Sequence, residues 1–187
     1  MSPAARAFLA TTLLALAACA ELPAARDGER VEFELSARIA LRFREEASSG
    51  NLAWRHRHEG DDLLISTSLG QGIAHLRRDG DHYFLTTSDA REYRAANAES
   101  LTEEVLGYPL PVVGLADWVR ARPQRDGPPP KAHYDSLGRL TELRQGGWHI
   151  EYLAYQDESP VSLPSRLKLT YPGLEMRLAI GTWKALP

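Results

Sequence analysis

The chain has 187 residues, a length suited to one domain, and 43% of them are hydrophobic, enough for a sizeable core. A formal charge of −3 argues against a nucleic-acid partner, whose affinity comes largely from neutralising phosphates. The single cysteine leaves no disulfide within the chain, so stability has to come from packing.

The first feature in chain order is that cysteine, Cys19, which ends the run Leu16-Ala17-Ala18-Cys19. Upstream lie a basic start at Arg6 and an apolar stretch from Ala7 to Ala18, too short to span a bilayer. The layout is that of a signal peptide over residues 1–18, and its ending resembles a bacterial lipobox. That resemblance implies acyl groups on Cys19 as the only covalent additions and a mature chain beginning there. An ordinary secretory signal with an incidental cysteine is the alternative. One fatty chain of about fourteen methylenes contributes roughly 11 kcal/mol, and two or three hold a protein on a membrane effectively permanently. Ala20, by the same resemblance, points to the outer membrane, because lipoproteins kept at the inner membrane commonly carry Asp after the cysteine. Residues 19–30 are polar and without periodicity, a flexible tether.

From Val31 the pattern changes. Val31, Phe33, Leu35, Ala37, Ile39, Leu41 and Phe43 alternate with mostly polar residues, predicting a long strand with one apolar and one solvated face. Ser48-Ser49-Gly50 is expected to turn the chain into a second strand through Leu52 and Trp54. Glu59-Gly60-Asp61-Asp62 is expected to turn it again into Leu63 to Thr67. Ile73 to Arg77, His82 to Thr87 and Arg91 to Ala95 follow as strands, with a hairpin at Asp79-Gly80.

After Ala95 the period becomes helical. Ser100 and Glu103 are spaced as a capping box, with Leu101 and Val105 on one face and Gly107 as the stop. Pro111 opens a second helix that carries Leu115, Trp118 and Val119 inward. A proline-rich loop then leads to strands around residues 133–135, 140–145, 148–152, 167–171 and 174–180. The expected fold is mainly β: a strongly curved antiparallel sheet of ten or eleven strands forming an open, incomplete barrel. The helical insert covers its apolar concave side, and residues 31–187 form a single domain.

Motifs for chemistry are missing from the sequence. No Gly-x-Ser-x-Gly elbow supports a serine hydrolase, and Gly70-Gln71-Gly72 lacks the Lys-Ser/Thr of a phosphate loop. His56 and His58 share one strand face with no further ligand pattern, so they read as surface histidines rather than a metal site. The carboxylates fall at turns and polar faces, where solvation is the default. No enzyme, metal or nucleotide is expected.

Two groups of residues are candidates for function. Phe33, Leu35, Ile39, Leu41, Trp54, Leu64, Tyr83, Trp118, Trp148, Tyr152 and Met176 would face the concave side, either as filled core or as the lining of a cavity. Leu69, in Thr67-Ser68-Leu69-Gly70-Gln71-Gly72, is a leucine among small polar residues and glycines between two strands. It either folds back onto the core or stands in solvent.

Taken in order, Ala37-Arg38-Ile39-Ala40, Gly50 to Trp54, Leu69 to Gly72, Leu110-Pro111-Val112, Leu115 to Trp118, Gln145 to Trp148 and Trp183 resemble the LolB family across the whole mature chain. Ala37 and Ser68 depart from it, standing where many members have glycine and proline, and the tether is too short for the N-terminal helix of some members. The resemblance implies an outer-membrane lipoprotein, a monomer, whose partners are the periplasmic carrier LolA, acylated lipoprotein cargo and outer-membrane lipid. Cargo acyl chains would sit in the apolar cavity, and Leu69 would protrude to deliver them to the membrane. A scaffolding lipoprotein and a periplasmic lipid hydrolase are the competing readings.

Overall fold

A computed structural model describes Leu22 and residues 30–185; Cys19, the expected signal peptide and nearly all of the expected tether lie outside the described residues. The strands are β1 (Val31–Phe43), β2 (Glu46–Arg57), β3 (Gly60–Ser66), β4 (Gly72–Asp79), β5 (His82–Thr87) and β6 (Glu92–Ala95). Two helices follow, α1 (Ala98–Leu106) and α2 (Val112–Trp118). Then come β7 (Lys131–Tyr134), β8 (Leu140–Gln145), β9 (Trp148–Tyr155), β10 (Pro164–Tyr171) and β11 (Leu174–Ala185). All eleven strands form one sheet in the order β6-β5-β4-β3-β2-β1-β11-β10-β9-β8-β7. Every neighbouring pair is antiparallel, and the sheet stays open between β6 and β7, the two strands the helical insert connects.

The alternation read in the sequence sets the register. Leu35 lies opposite Trp54, Trp54 opposite Leu63, Leu63 opposite Leu76 and Leu76 opposite Leu85, so one row of apolar side chains crosses five strands on the concave face. On the other side of β1, Ile39, Leu178, Leu167 and Tyr152 form an equivalent row. The β1–β11 register shifts between Ser36 and Ala37, where Gly181 is the extra residue, and such a bulge bends a sheet toward closure. Leu101, Leu115, Trp118 and Val119 from the insert join the strand residues in a single buried cluster.

Four local expectations need correction. The first hairpin turns at Arg44 and Glu45, with Arg44 at φ 56, and Ser48-Ser49-Gly50 is part of β2. Gly50 is there because a Cβ would strike the carbonyl oxygen of Ser66 on the neighbouring strand. The second turn lies at His58 and Glu59, so Asp61 and Asp62 belong to β3 and are buried. Helix α1 is capped by Asn97, whose side chain accepts a hydrogen bond from the Ser100 amide at 2.7 Å, because Ala98 and Glu99 already take helical geometry. Gly107 ends the helix in the left-handed region, as expected. Leu64 pairs with Ala53, and Ala53 with Ser36, all on the convex face; it is half-buried there and does not line the interior. The two-residue pleat places Leu63 and Ile65 inward in its stead.

Candidate functional site

The concave interior collects ten of the eleven residues expected there. Phe33, Leu35, Ile39, Leu41, Trp54, Tyr83, Trp118, Trp148, Tyr152 and Met176 are all buried in one cluster. Helix α2 fills the space between the sheet's two wings. Its Trp118 ring folds back over Gly114, where an added Cβ would lie 2.8 Å from the indole, so the glycine is what lets the ring pack. Trp118 Nε1 donates to Gln145 Oε1 at 3.0 Å, and Tyr152 Oη donates to the Trp118 carbonyl at 2.9 Å. Burial pushes the Tyr152 hydroxyl far above its ordinary range, so it acts only as a neutral hydrogen-bonding group.

The insert is fastened at two points. Between the helices, the buried Thr102 hydroxyl donates to the Ala98 carbonyl and accepts from the Leu110 amide at 2.8 Å, which fixes where α1 hands over to α2. Just past α2, Arg120 donates to Glu32 on β1 at 2.8 Å and lies over the Phe33 ring, 5.2 Å from its centroid.

A polar cluster closes the end of the barrel where β1 begins, the lower end. Asp61 is 1% exposed and accepts from Trp54 Nε1 at 2.9 Å and Arg78 Nε at 2.6 Å, with His56 Nδ1 at 2.7 Å. On the convex side of the same strands, Asp62 pairs with Arg57 at 2.7 Å and His75 at 3.3 Å. Glu32 pairs with Arg120 and lies 3.7 Å from His56 and 3.6 Å from His58. Burial works against the charges of Glu32 and Asp62, but these partners outweigh it and hold both carboxyls below their ordinary values. His56 is therefore a buried member of a network and not a surface histidine, while His58 is exposed. Among the described residues no group of three or more His, Cys, Asp or Glu side chains is arranged to hold a metal ion.

At the other, upper end stands the loop between β3 and β4. Thr67 closes it, its amide donating to the Gln71 carbonyl at 2.8 Å while its own carbonyl accepts from Gly70 at 2.9 Å; Gly70 supplies the φ of 87 that the tight turn requires. Leu69 at the tip is 94% exposed, so of the two readings of this leucine the structure has the one in solvent.

A half-open antiparallel barrel with an apolar concave face, a helical plug and a bare leucine at its rim is what the comparisons with known proteins test. The family model described as outer membrane lipoprotein LolB matches residues 31–183. Outer-membrane lipoprotein LolB of Dechloromonas aromatica is 35% identical over 192 residues, covering 97% of this chain and 98% of its own. The chain belongs to the LolB family. LolB of an Azoarcus species is 36% identical with both chains covered in full, and LolB of Nitrosococcus oceani is 37% identical over 82% of this chain and 76% of its own. Among solved structures, a LolA-superfamily protein from Nitrosomonas europaea matches with a TM-score of 0.50 at 10% identity, covering 87% of this chain and 89% of its own. A DUF1329-family protein from Desulfovibrio piger matches at 0.53 and 6% identity, covering 85% and 87%. These two likenesses concern the fold alone. Family membership makes the chain an outer-membrane lipoprotein with a role in lipoprotein localisation.

Proposed function

We propose that this LolB-family chain, held at the outer membrane by acyl groups on Cys19, accepts acylated lipoproteins from a LolA-like periplasmic carrier and inserts them into the membrane as a monomer, without catalysis or nucleotide. The physical need is plain. An acyl chain crossing water exposes apolar surface at a cost on the order of 10 kcal/mol, so a handover requires an apolar surface of matching attraction at each stage. The nine buried residues that the strands give to the concave face supply such a surface once Trp118 and the other α2 side chains withdraw from it. Transfer then runs down a gradient of affinity from carrier to receptor to bilayer.

The observation that carries this reading is Leu69. A leucine at 94% exposure on a loop braced by its own hydrogen bonds has no packing role. Entering lipid it contributes about 1.5–3 kcal/mol, enough to bias an encounter with a bilayer and too little to anchor one.

Leu69→Glu separates the two steps. Because the side chain touches little, the variant should fold and still take cargo from the carrier. Delivery to liposomes should fall by at least tenfold, since a carboxylate at the tip meets a desolvation cost of several kcal/mol. Cargo bound to the variant and cargo recovered in liposomes are measured in parallel. Normal delivery would remove the loop from the mechanism, and a folded variant that takes no cargo would count against the receptor reading itself. Mass spectrometry of the mature protein tests the anchor independently: acyl mass on Cys19 is expected, and a free thiol there would refute it.

A further inference from the structure

We propose that the convex face beside the Leu69 loop, formed by β1, β11 and β10, is a seat for the phosphates of an anionic lipid surface. The proposal rests on the reading of Leu69 as a bilayer contact and says how the molecule lies when that contact is made. Residues directly opposite in an antiparallel ladder share a face. Arg38 lies opposite Asn51 on one side and Ala179 on the other, and Ala179 lies opposite Arg166. With strands about 4.8 Å apart, Arg38 and Arg166 stand roughly 10 Å from each other, and Arg42 is two pleats further up β1 on the same face.

All three guanidiniums are exposed, and among the described residues none has a carboxylate within ion-pair distance. The acids of this face are already engaged: Glu175 by Arg177 at 2.9 Å, Glu151 by Lys168 at 2.8 Å and Glu34 by Arg55 at 2.6 Å. A chain with a net charge of −3 therefore keeps a local surplus of arginine here. The apolar contacts stand on the same side. Ile73 alternates with the buried Ala74 and is 39% exposed on the convex side, at the base of the loop whose tip is Leu69. Asn51 ties the two features together, donating from its side chain to the Thr67 carbonyl at 3.1 Å. Gly70 of the loop and Arg38 are both walls of one open trough of about 500 Å³.

This combination fits a bilayer surface rather than a protein. Two apolar side chains stand forward, and arginines on flexible stems lie behind them, able to meet phosphates one layer above the hydrocarbon. Each arginine near an anionic lipid surface is worth about a fivefold shift in the seated population, and three together on the order of a hundredfold, before screening by salt.

The test uses the full acylated chain reconstituted in vesicles, with a fluorophore on a single introduced thiol and a nitroxide quencher on lipid headgroups. Ala40→Cys reports the convex face between Arg38 and Arg42, Ser68→Cys reports the loop with Leu69 intact, and Val161→Cys, on an exposed residue between β9 and β10, reports the opposite end. In vesicles of phosphatidylethanolamine and phosphatidylglycerol, quenching at 40 should exceed that at 161. It should drop when phosphatidylcholine replaces the phosphatidylglycerol, when salt is raised, and when Arg38→Gln, Arg42→Gln and Arg166→Gln are combined. Equal quenching at 40 and 161, or quenching at 40 indifferent to the arginines, overturns the proposal. If position 68 is quenched while 40 is not, the arginine seat is wrong and the loop reading stands; if 68 is not quenched, the loop reading falls on its own. A triple variant that seats normally but takes cargo from the carrier more slowly would make the face a protein-docking surface, which also overturns the proposal.

Discussion

Asp61 offers the sharpest test of how the lower end of the barrel holds together. Its carboxylate is 1% exposed and satisfies three donors at once, from Trp54, Arg78 and His56, whose own side chains are largely buried. Asp61→Leu removes every acceptor at this position and leaves an arginine, an indole N–H and an imidazole facing apolar surroundings. Removing one partner of a buried ion pair costs about 3–5 kcal/mol, a large share of the roughly 5–15 kcal/mol that stabilises a typical domain. Asp61→Asn should cost less, since an amide oxygen still accepts one of the hydrogen bonds. The double variant Asp61→Leu with Arg78→Met should recover part of the loss, because the orphaned charge goes with its partner. Arg144→Ala is the control: its side chain is exposed and its pair with Glu142 should be worth less than about 1 kcal/mol. Guanidinium unfolding of the chain in detergent, followed by tryptophan fluorescence, measures all four, with Trp54 reporting from inside the cluster. If Asp61→Leu costs no more than Arg144→Ala, the cluster is not a structural element and the reasoning fails.

Three further outcomes are expected. Glu32 and Asp62 are held below their ordinary 4.5 and 3.8, so each contributes stability that is present above those values and lost as pH falls through the lowered ones. Acid unfolding of the parent should accordingly begin below about pH 4.5, and Asp62→Asn should flatten that limb; an unchanged limb would exclude Asp62 as its source. Thr102→Val leaves the buried Leu110 amide without an acceptor and should cost about 1–3 kcal/mol, read by unfolding, with faster amide exchange in α1 and α2 than in the sheet. Uniform exchange across the molecule would refute a local role. Tyr108→Ala removes the ring that meets Phe43 at 6.0 Å and should raise uptake of a hydrophobic dye, whereas Glu32→Gln should not; the reverse order would place the opening at the other end.

The apolar alternation made most of the sheet legible. From Phe33 to Leu41 every second residue is apolar and every one of those is buried, so strand, face and core followed from a period of two. Leu140 to Gln145 and His82 to Thr87 were readable to the residue. Turns were less so. Ser48-Ser49-Gly50 carries turn chemistry, yet β2 runs through it because the glycine is needed for close approach of a neighbouring backbone, a tertiary fact with no local signature. Asp61 was hidden for the opposite reason: a carboxylate beside Gly60 reads as a turn, and only its register opposite the inward His56 reveals it as a buried acceptor. Arg120 and Glu32, far apart in the chain, could not have been joined by any local pattern. Leu69 was legible as an anomaly, an unsupported leucine between glycine and serine, and geometry was needed to show which way it stood.

The two ends of the barrel are closed by different forces, and the difference bears on how an acyl chain would get in. At the lower end, opening would part Glu32 on β1 from Arg120 just past α2, a charge pair already part-desolvated, beside the buried carboxylate of Asp61. No hydrocarbon chain can repair that loss, so opening there costs several kcal/mol with nothing in return. At the upper end the closing contacts are rings: Phe43 with Tyr108, Trp148 with Tyr171 at 5.0 Å, and Trp118 with Trp148 at 5.9 Å. An acyl chain replaces a ring's apolar contacts nearly one for one, and parting Phe43 from Tyr108 or Trp148 from Tyr171 breaks no ion pair; displacing Trp118 would also cost its hydrogen bond to Gln145. The same cargo that is repelled by the ionic end is therefore a fair exchange at the aromatic one. The Leu69 loop stands at that upper end of the strands, so on the proposed function uptake and release share a rim, and the ionic end keeps the barrel folded while the aromatic end lets it open.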